Sequence, residues 1–133
     1  MHLRTFALRL ILAASPFVAS GCFLVAAGAG AAGAVAYTNR GATSSVAGTV
    51  DQVFDRTATA FQAAGVAETG RSTADNGEQR KLVGTKGEYE VTAEINRSNE
   101  TTTKVEVVAK KSAVEYDKEL AKDVLNRILT QQQ

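Results

Sequence analysis

The sequence predicts an α+β fold: an antiparallel sheet of about four strands with two helices packed on one face, in the order β-α-β-β-β-α, preceded by an N-terminal apolar helical segment. Three observations carry this. Two segments repeat apolar residues at three- and four-residue steps, as a helix with one buried side does. Between them, apolar and polar residues alternate with period two, as in strands with one buried face. Turn-forming residues punctuate that alternation. Elements that each have a single apolar side are all satisfied when helices pack on one face of a sheet.

The chain opens with Met1–Gly21, which has the three parts of a secretory signal. His2, Arg4 and Arg9 make a short basic start with no acid. Leu10–Ala14 begin an apolar run that continues through Phe17 and Val18, and the small residues Ala19, Ser20 and Gly21 suit a narrow peptidase groove. Cys22 follows directly, so Ala19-Ser20-Gly21-Cys22 reads as a lipoprotein processing site. Its thiol is the group that accepts the diacylglyceryl unit. Ala19 departs from the usual pattern, which prefers Leu at that position. One myristoyl chain holds a protein to a bilayer with only about 10⁴ M⁻¹, whereas several chains, at about 0.8 kcal/mol per buried CH₂, anchor it stably. A mature bacterial lipoprotein carries three acyl chains, so the expected partner is a membrane, held through Cys22. Two other readings stay open. Cys22 is a free cysteine after ordinary cleavage, or the segment stays uncleaved and residues 6–36 form a membrane helix.

Phe23-Leu24-Val25 leads into Ala26–Ala36, made only of Ala, Gly and Val. Gly28, Gly30 and Gly33 permit close helix–helix approach in lipid, and the same composition suits a flexible tether. Ala favours a helix and Gly opposes it by about 1 kcal/mol per residue, so propensity does not choose. Tyr37-Thr38-Asn39-Arg40-Gly41 ends this part, with an amphipathic ring suited to a membrane–water boundary. The expected organisation is therefore residues 1–21 as signal, 22–41 as lipidated cysteine and tether or membrane helix, and 42–133 as a small α+β domain.

Residues 42–46 make a weak first strand. Thr49–Ala64 is a clearer helix: Thr49 and Gln52 form a capping box, and Asp51 lies in the first turn. Val50, Val53, Phe54, Ala58, Phe61 and Ala64 supply one apolar stripe, and Gly65 supplies the stop. Val66–Ala109 reads as strands. Asn76-Gly77 signals a two-residue hairpin; Lys86-Gly87 and Ser98-Asn99-Glu100 are further turns. Tyr89, Val91, Ala93 and Ile95 alternate with Glu88, Glu90, Thr92 and Glu94, and Val105, Val107 and Ala109 alternate with Lys104, Glu106 and Val108. The segment 66–73 is expected at a sheet edge. Ser112 and Glu115 form a second capping-box pattern, which places the start of the last helix there. Leu120, Ala121, Val124, Leu125, Ile128 and Leu129 are its stripe.

Charge and composition exclude several function classes. The 15 basic residues lose Arg4 and Arg9 with the signal, leaving 13 against 14 acidic. Nucleic-acid binders usually show a basic surplus, so no nucleic-acid partner is expected. Cys22 is the single cysteine, which rules out an intrachain disulfide and a thiolate metal cluster within one chain. His2 is the single histidine and leaves with the signal, so the mature chain has no imidazole for acid–base catalysis or metal ligation. Glu88, Glu90 and Glu94, beside Lys104 and Glu106, suggest a cation site or a carboxylate enzyme only if they share a cleft; a solvated sheet face laced by cross-strand ion pairs is the expectation. No catalytic residue, cofactor, metal ligand or small-molecule substrate is assigned.

A helix and alternating strands behind a lipidation site, with Gly21-Cys22, the run Ala26–Ala36, Thr49, Val53 and Phe54 through Gly65-Val66, and Asp117 through Ile128, resemble a family of small bacterial envelope lipoproteins classed as a domain of unknown function. The resemblance implies a lipid-anchored protein facing the periplasm, with a possible envelope protein as partner. It carries no functional residue beyond Cys22. Phe23 stands where an aspartate would retain a lipoprotein in the inner membrane, so outer-membrane sorting is expected. The rival expectation is an integral inner-membrane protein whose uncleaved glycine-containing helix oligomerises.

Overall fold

The computed structural model describes residues 35–131. The signal segment, Cys22 and the Gly/Ala run up to residue 34 lie outside the described residues. The elements are β1 (Ala36–Tyr37), β2 (Gly41–Ala47), α1 (Val50–Ala63), β3 (Ala67–Ala74), β4 (Gln79–Lys86), β5 (Tyr89–Arg97), β6 (Thr102–Lys110) and α2 (Lys118–Thr130). The strands form a single antiparallel sheet in the order β1-β2-β6-β5-β4-β3. The fold is α+β, with both helices against the sheet and against each other: α1 over β3, β4 and β5, α2 over β2 and β6.

The sheet has six strands rather than about four. Three turns, at Asn76-Gly77, Lys86-Gly87 and Ser98–Glu100, close three hairpins, and three hairpins in series require four strands. The sixth strand is β1. Ala36 and Tyr37 pair with Thr43 and Ala42, so these residues of the apolar run are strand. A helix running through Ala36 to Tyr37 is thereby corrected. Val35, just before them, packs against the core.

Each element forms for a legible local reason. Thr49 Oγ1 accepts from the Gln52 amide at 3.4 Å, and Gln52 Oε1 accepts from the Thr49 amide at 3.1 Å. Two amides that the first turn of α1 leaves without partners are satisfied in this way. At the other end Gly65 takes a φ of 73°, and the Gly65 and Val66 amides donate to Gln62 O and Phe61 O. That is a Schellman stop. The buried side of α1 includes Thr57, which the apolar stripe omitted. Its hydroxyl donates back to Val53 O at 2.7 Å and is therefore satisfied in the core.

The last helix starts later than the Ser112 pattern indicates. Asp117 is its cap, accepting from the Leu120 amide at 2.9 Å. Ser112 instead closes a turn, accepting from the Glu115 amide at 3.2 Å, and Tyr116 bridges back to Lys110. That bridge holds residues 112–115 away from helical geometry. The first hairpin also differs: Ala74 pairs with Gln79, so its loop is four residues, with Asp75, Asn76 and Gly77 all at positive φ. Asn, Asp and Gly are the residues that tolerate this region.

The core lies between the helices and one face of the sheet. Val91, Ala93 and Ile95 of β5 and Val105, Val107 and Ala109 of β6 are fully buried, opposite Phe54, Phe61, Val124, Leu125 and Ile128. Fully burying a Phe contributes roughly 1.5–3 kcal/mol relative to leaving it exposed. Arg80 stacks on the Phe54 ring at 3.7 Å and donates to Asp51 Oδ1 at 2.7 Å, closing the core beside the first turn of α1.

Gly84 is the tightest backbone approach between β3 and β4 that bears on packing. A Cβ there would lie 2.6 Å from Val66 Cγ1 and 2.7 Å from Ala67 O. Gly84→Ala is expected to destabilise the domain by about 1–3 kcal/mol through overpacking. Urea unfolding followed by circular dichroism checks this; an unchanged midpoint would show that β3 yields freely.

Candidate functional site

Among the described residues, no helix lies on the second face of the sheet. Its side chains alternate with the core residues: Glu90, Thr92 and Glu94 on β5, Lys104, Glu106, Val108 and Lys110 on β6, and Lys81 and Val83 on β4. Antiparallel register places them in rows. Lys81 lies across from Glu94, and Glu94 across from Glu106. In the next row but one, Glu90 lies across from Lys110.

Ion pairs follow these rows. Lys81 Nζ is 3.2 Å from Glu94 Oε1, and Lys110 Nζ is 3.1 Å from Glu90 Oε1. Glu88 is in the turn after β4, with Lys111 Nζ at 2.7 Å. The hydrogen bond that Lys111 donates to Glu88, and then the charge of Glu115, hold the Lys111 ammonium above its ordinary pKa. The three carboxylates singled out in the sequence therefore face three different lysines. Among the described residues no group of three or more His, Cys, Asp or Glu side chains could hold a metal ion. Solvent-exposed pairs of this kind contribute little to stability.

The centre of this face is concave. A hollow of about 430 Å³ is lined by Thr92, Glu94, Glu106 and Val108 of the sheet, by Lys81 and Lys110, and by Arg40, Ala113 and Tyr116. The turn at 111–117 builds one wall. The Tyr116–Lys110 bridge folds it back over β6, and Tyr116 Oη donates to Ala113 O at 3.1 Å. Arg40 is positioned by the turn before β2, where Thr38 Oγ1 accepts from the Gly41 amide at 2.9 Å. Glu94 and Glu106 thus share the hollow, whereas Glu88 and Glu90 are not among its lining residues. The mixture of cations, carboxylates, a phenol and a valine suits recognition of a polar surface or a charged small group.

A cleft of about 570 Å³ lies at one end of the sheet, between the start of α1 and the turns at 75–78 and 99–100. Asp51, Asp75, Glu78 and Glu100 make it acidic. Arg97 pairs with Glu78 at 3.1 Å, and Asp51 is taken by Arg80.

The sequence reading missed Arg40, Lys81, Lys110 and Tyr116. The β4–β5 hairpin was readable from its turn, but its loop is Gly87-Glu88, with Lys86 opposite Tyr89, so Lys81 faces Glu94 rather than the Thr92 that a Lys86-Gly87 loop would set against it. Arg40 was not readable, since its place depends on β2 pairing with β6.

The family model described as "Protein of unknown function (DUF3568)" matches residues 5–130. The chain belongs to this family. The match takes in most of the apolar N-terminal segment together with the α+β domain of this DUF3568 protein. No curated protein matches the chain.

Glu94 and Glu106 stand directly opposite each other, with Lys81 paired to Glu94, and like charges in that relation destabilise a sheet. Glu106→Gln is expected to raise stability by about 0.2–1 kcal/mol, with a smaller gain at high salt. Paired urea titrations at low and high ionic strength check this; a loss of stability would show that Glu106 is already balanced by the nearby cations.

Proposed function

We propose that this chain is a lipid-anchored protein of the bacterial cell envelope that works without catalysis, offering the uncovered face of its sheet to a partner. The observation that carries the anchor is Cys22 directly after Ala19-Ser20-Gly21, at the end of an apolar segment with a basic start. A thiol at that position is what acyl transfer requires, and the three small residues are what the peptidase groove requires. Phe23 in place of an aspartate supports the outer membrane, facing the periplasm, as the destination.

What supports a binding role is the division of labour in the sheet. One face is consumed by the two helices, and the other is open, hollowed and charged. Binding residues tend to sit on loops and turns that a rigid scaffold holds in place, as the 111–117 turn and Arg40 are held here. The carboxylates of the hollow lie on an open surface beside lysines, which favours recognition over the water-excluded acid–base chemistry of a carboxylate enzyme.

The intact mass of protein purified from membranes tests the anchor. The expected mass is that of residues 22–133 plus three acyl chains, with Cys22→Ala accumulating as unprocessed precursor. A full-precursor mass in both proteins would overturn the anchor and favour an inner-membrane helix containing Gly28, Gly30 and Gly33. Sorting is tested separately: Phe23→Asp is expected to move the protein from the outer-membrane to the inner-membrane fraction on a sucrose gradient. An unchanged distribution would remove the outer-membrane assignment.

A further inference from the structure

The two edges of the sheet differ. β1 is two residues long, whereas β3 presents eight, of which seven are exposed and one is half-buried. An exposed edge of this length offers a row of main-chain donors and acceptors to another strand. Proteins commonly blunt such edges with lysine, proline or a β-bulge. Ala67–Ala74 contains no lysine or proline and carries one bulge, between Glu68 and Gly70.

β3 also carries one acid and one base in a particular relation. The register with β4 shifts between Glu68 and Gly70. That bulge brings Glu68 and Arg71 to the same face, across from Gly84 and Leu82. They form a bidentate pair, Nε to Oε1 at 2.5 Å and Nη2 to Oε2 at 2.8 Å. Hydrogen bonding from Arg71 holds the Glu68 carboxyl below its ordinary pKa. The Arg71 guanidinium also lies 5.5 Å from the centre of the Phe54 ring, which limits its wandering. Charge is thus organised at the open edge.

We infer that two copies of this chain join antiparallel through β3, about a twofold axis between Thr69 and Gly70. In that register each copy's Glu68 stands across from the other copy's Arg71, twice over by symmetry. Ala67 then faces Ser72, and Thr69 faces Gly70, so no like charges meet. A register centred on Arg71 would oppose two arginines, and one centred on Glu68 would oppose two glutamates. The charges therefore select one alignment out of several that the backbone alone would accept. A twofold axis perpendicular to the sheet keeps both pairs of helices on one side, so the two uncovered faces become continuous. A self-complementary patch of this kind is what a closed two-copy assembly requires. The inference rests on the β3 edge and stands independently of the lipid anchor.

Charge reversal tests it, using the full chain purified in detergent micelles and sedimentation velocity over a concentration series. Glu68→Arg makes the edge wholly basic and Arg71→Glu makes it wholly acidic. Each variant alone is expected to weaken dimerisation by at least about tenfold, because two attractive contacts become repulsive. An equimolar mixture of the two variants is expected to dimerise again, since a basic edge then meets an acidic one at both contacts. Rescue in the mixture also excludes misfolding as the cause of the loss. Wild-type chain that stays monomeric throughout, variants that dimerise as well as wild type, or a mixture that stays monomeric would each overturn the inference. Dimerisation retained in both variants would assign assembly to another part of the chain.

Discussion

Everything in this domain depends on burial being one-sided. Strands β5 and β6 alternate strictly, and their inward residues are small or β-branched: Val91, Ala93, Ile95, Val105, Val107 and Ala109. These make a shallow, even floor, and the bulk comes from the helices, through Phe54, Phe61, Leu125 and Ile128. Because the alternation has a period of two, a slip of one residue would send every inward side chain to water. The register that fixes the core therefore fixes the rows on the opposite face as well. Lys81, Glu94 and Glu106 stand in line because Leu82, Ala93 and Val107 must point the other way. The geometry of the candidate binding face is a by-product of core packing.

This coupling explains which parts of the fold were legible in the sequence. Helix α1 was readable from Thr49, Gln52 and Gly65, since capping is local and involves residues three or four apart. The strands were readable from alternation, and the β4–β5 pairing from its turn. Strand β2 was harder, because Thr43, Ser44 and Ser45 carry no clear pattern; its place beside β6 depends on contacts more than fifty residues away, such as the hydrogen bond from Thr103 Oγ1 to Gly48 O. β1 was hidden inside an apolar run whose composition speaks for helix or tether. Ser112 misled because a capping pattern also occurs in turns and is not sufficient for a helix start. Tyr116, paired to Lys110, decides where α2 can begin.

The candidate site divides along the same line. Its β4–β5 row follows from a hairpin whose loop, Gly87-Glu88, lies one residue beyond the turn the sequence signals. Its walls come from Arg40 and the 111–117 turn, whose positions follow from tertiary pairing. Glu94 beside Glu106 is a local conflict, since sheet stability alone would place unlike charges there. Conflicts of this kind tend to gather where a surface has work other than holding itself together.

The route by which the chain enters the domain has a mechanical consequence. Ala36 and Tyr37 pair antiparallel with β2 at the free edge, and their hairpin turns at Thr38–Arg40. Tension applied from the N-terminal side would load these pairs one after another, as a zipper is opened, and would not shear all of them together. Only two residues are held this way, while strands β2, β4, β5 and β6 and the two helices behind them share a common core. A modest pull would therefore release a short length of chain and spare the rest, giving the domain a built-in slack between its core and whatever holds its N-terminal side.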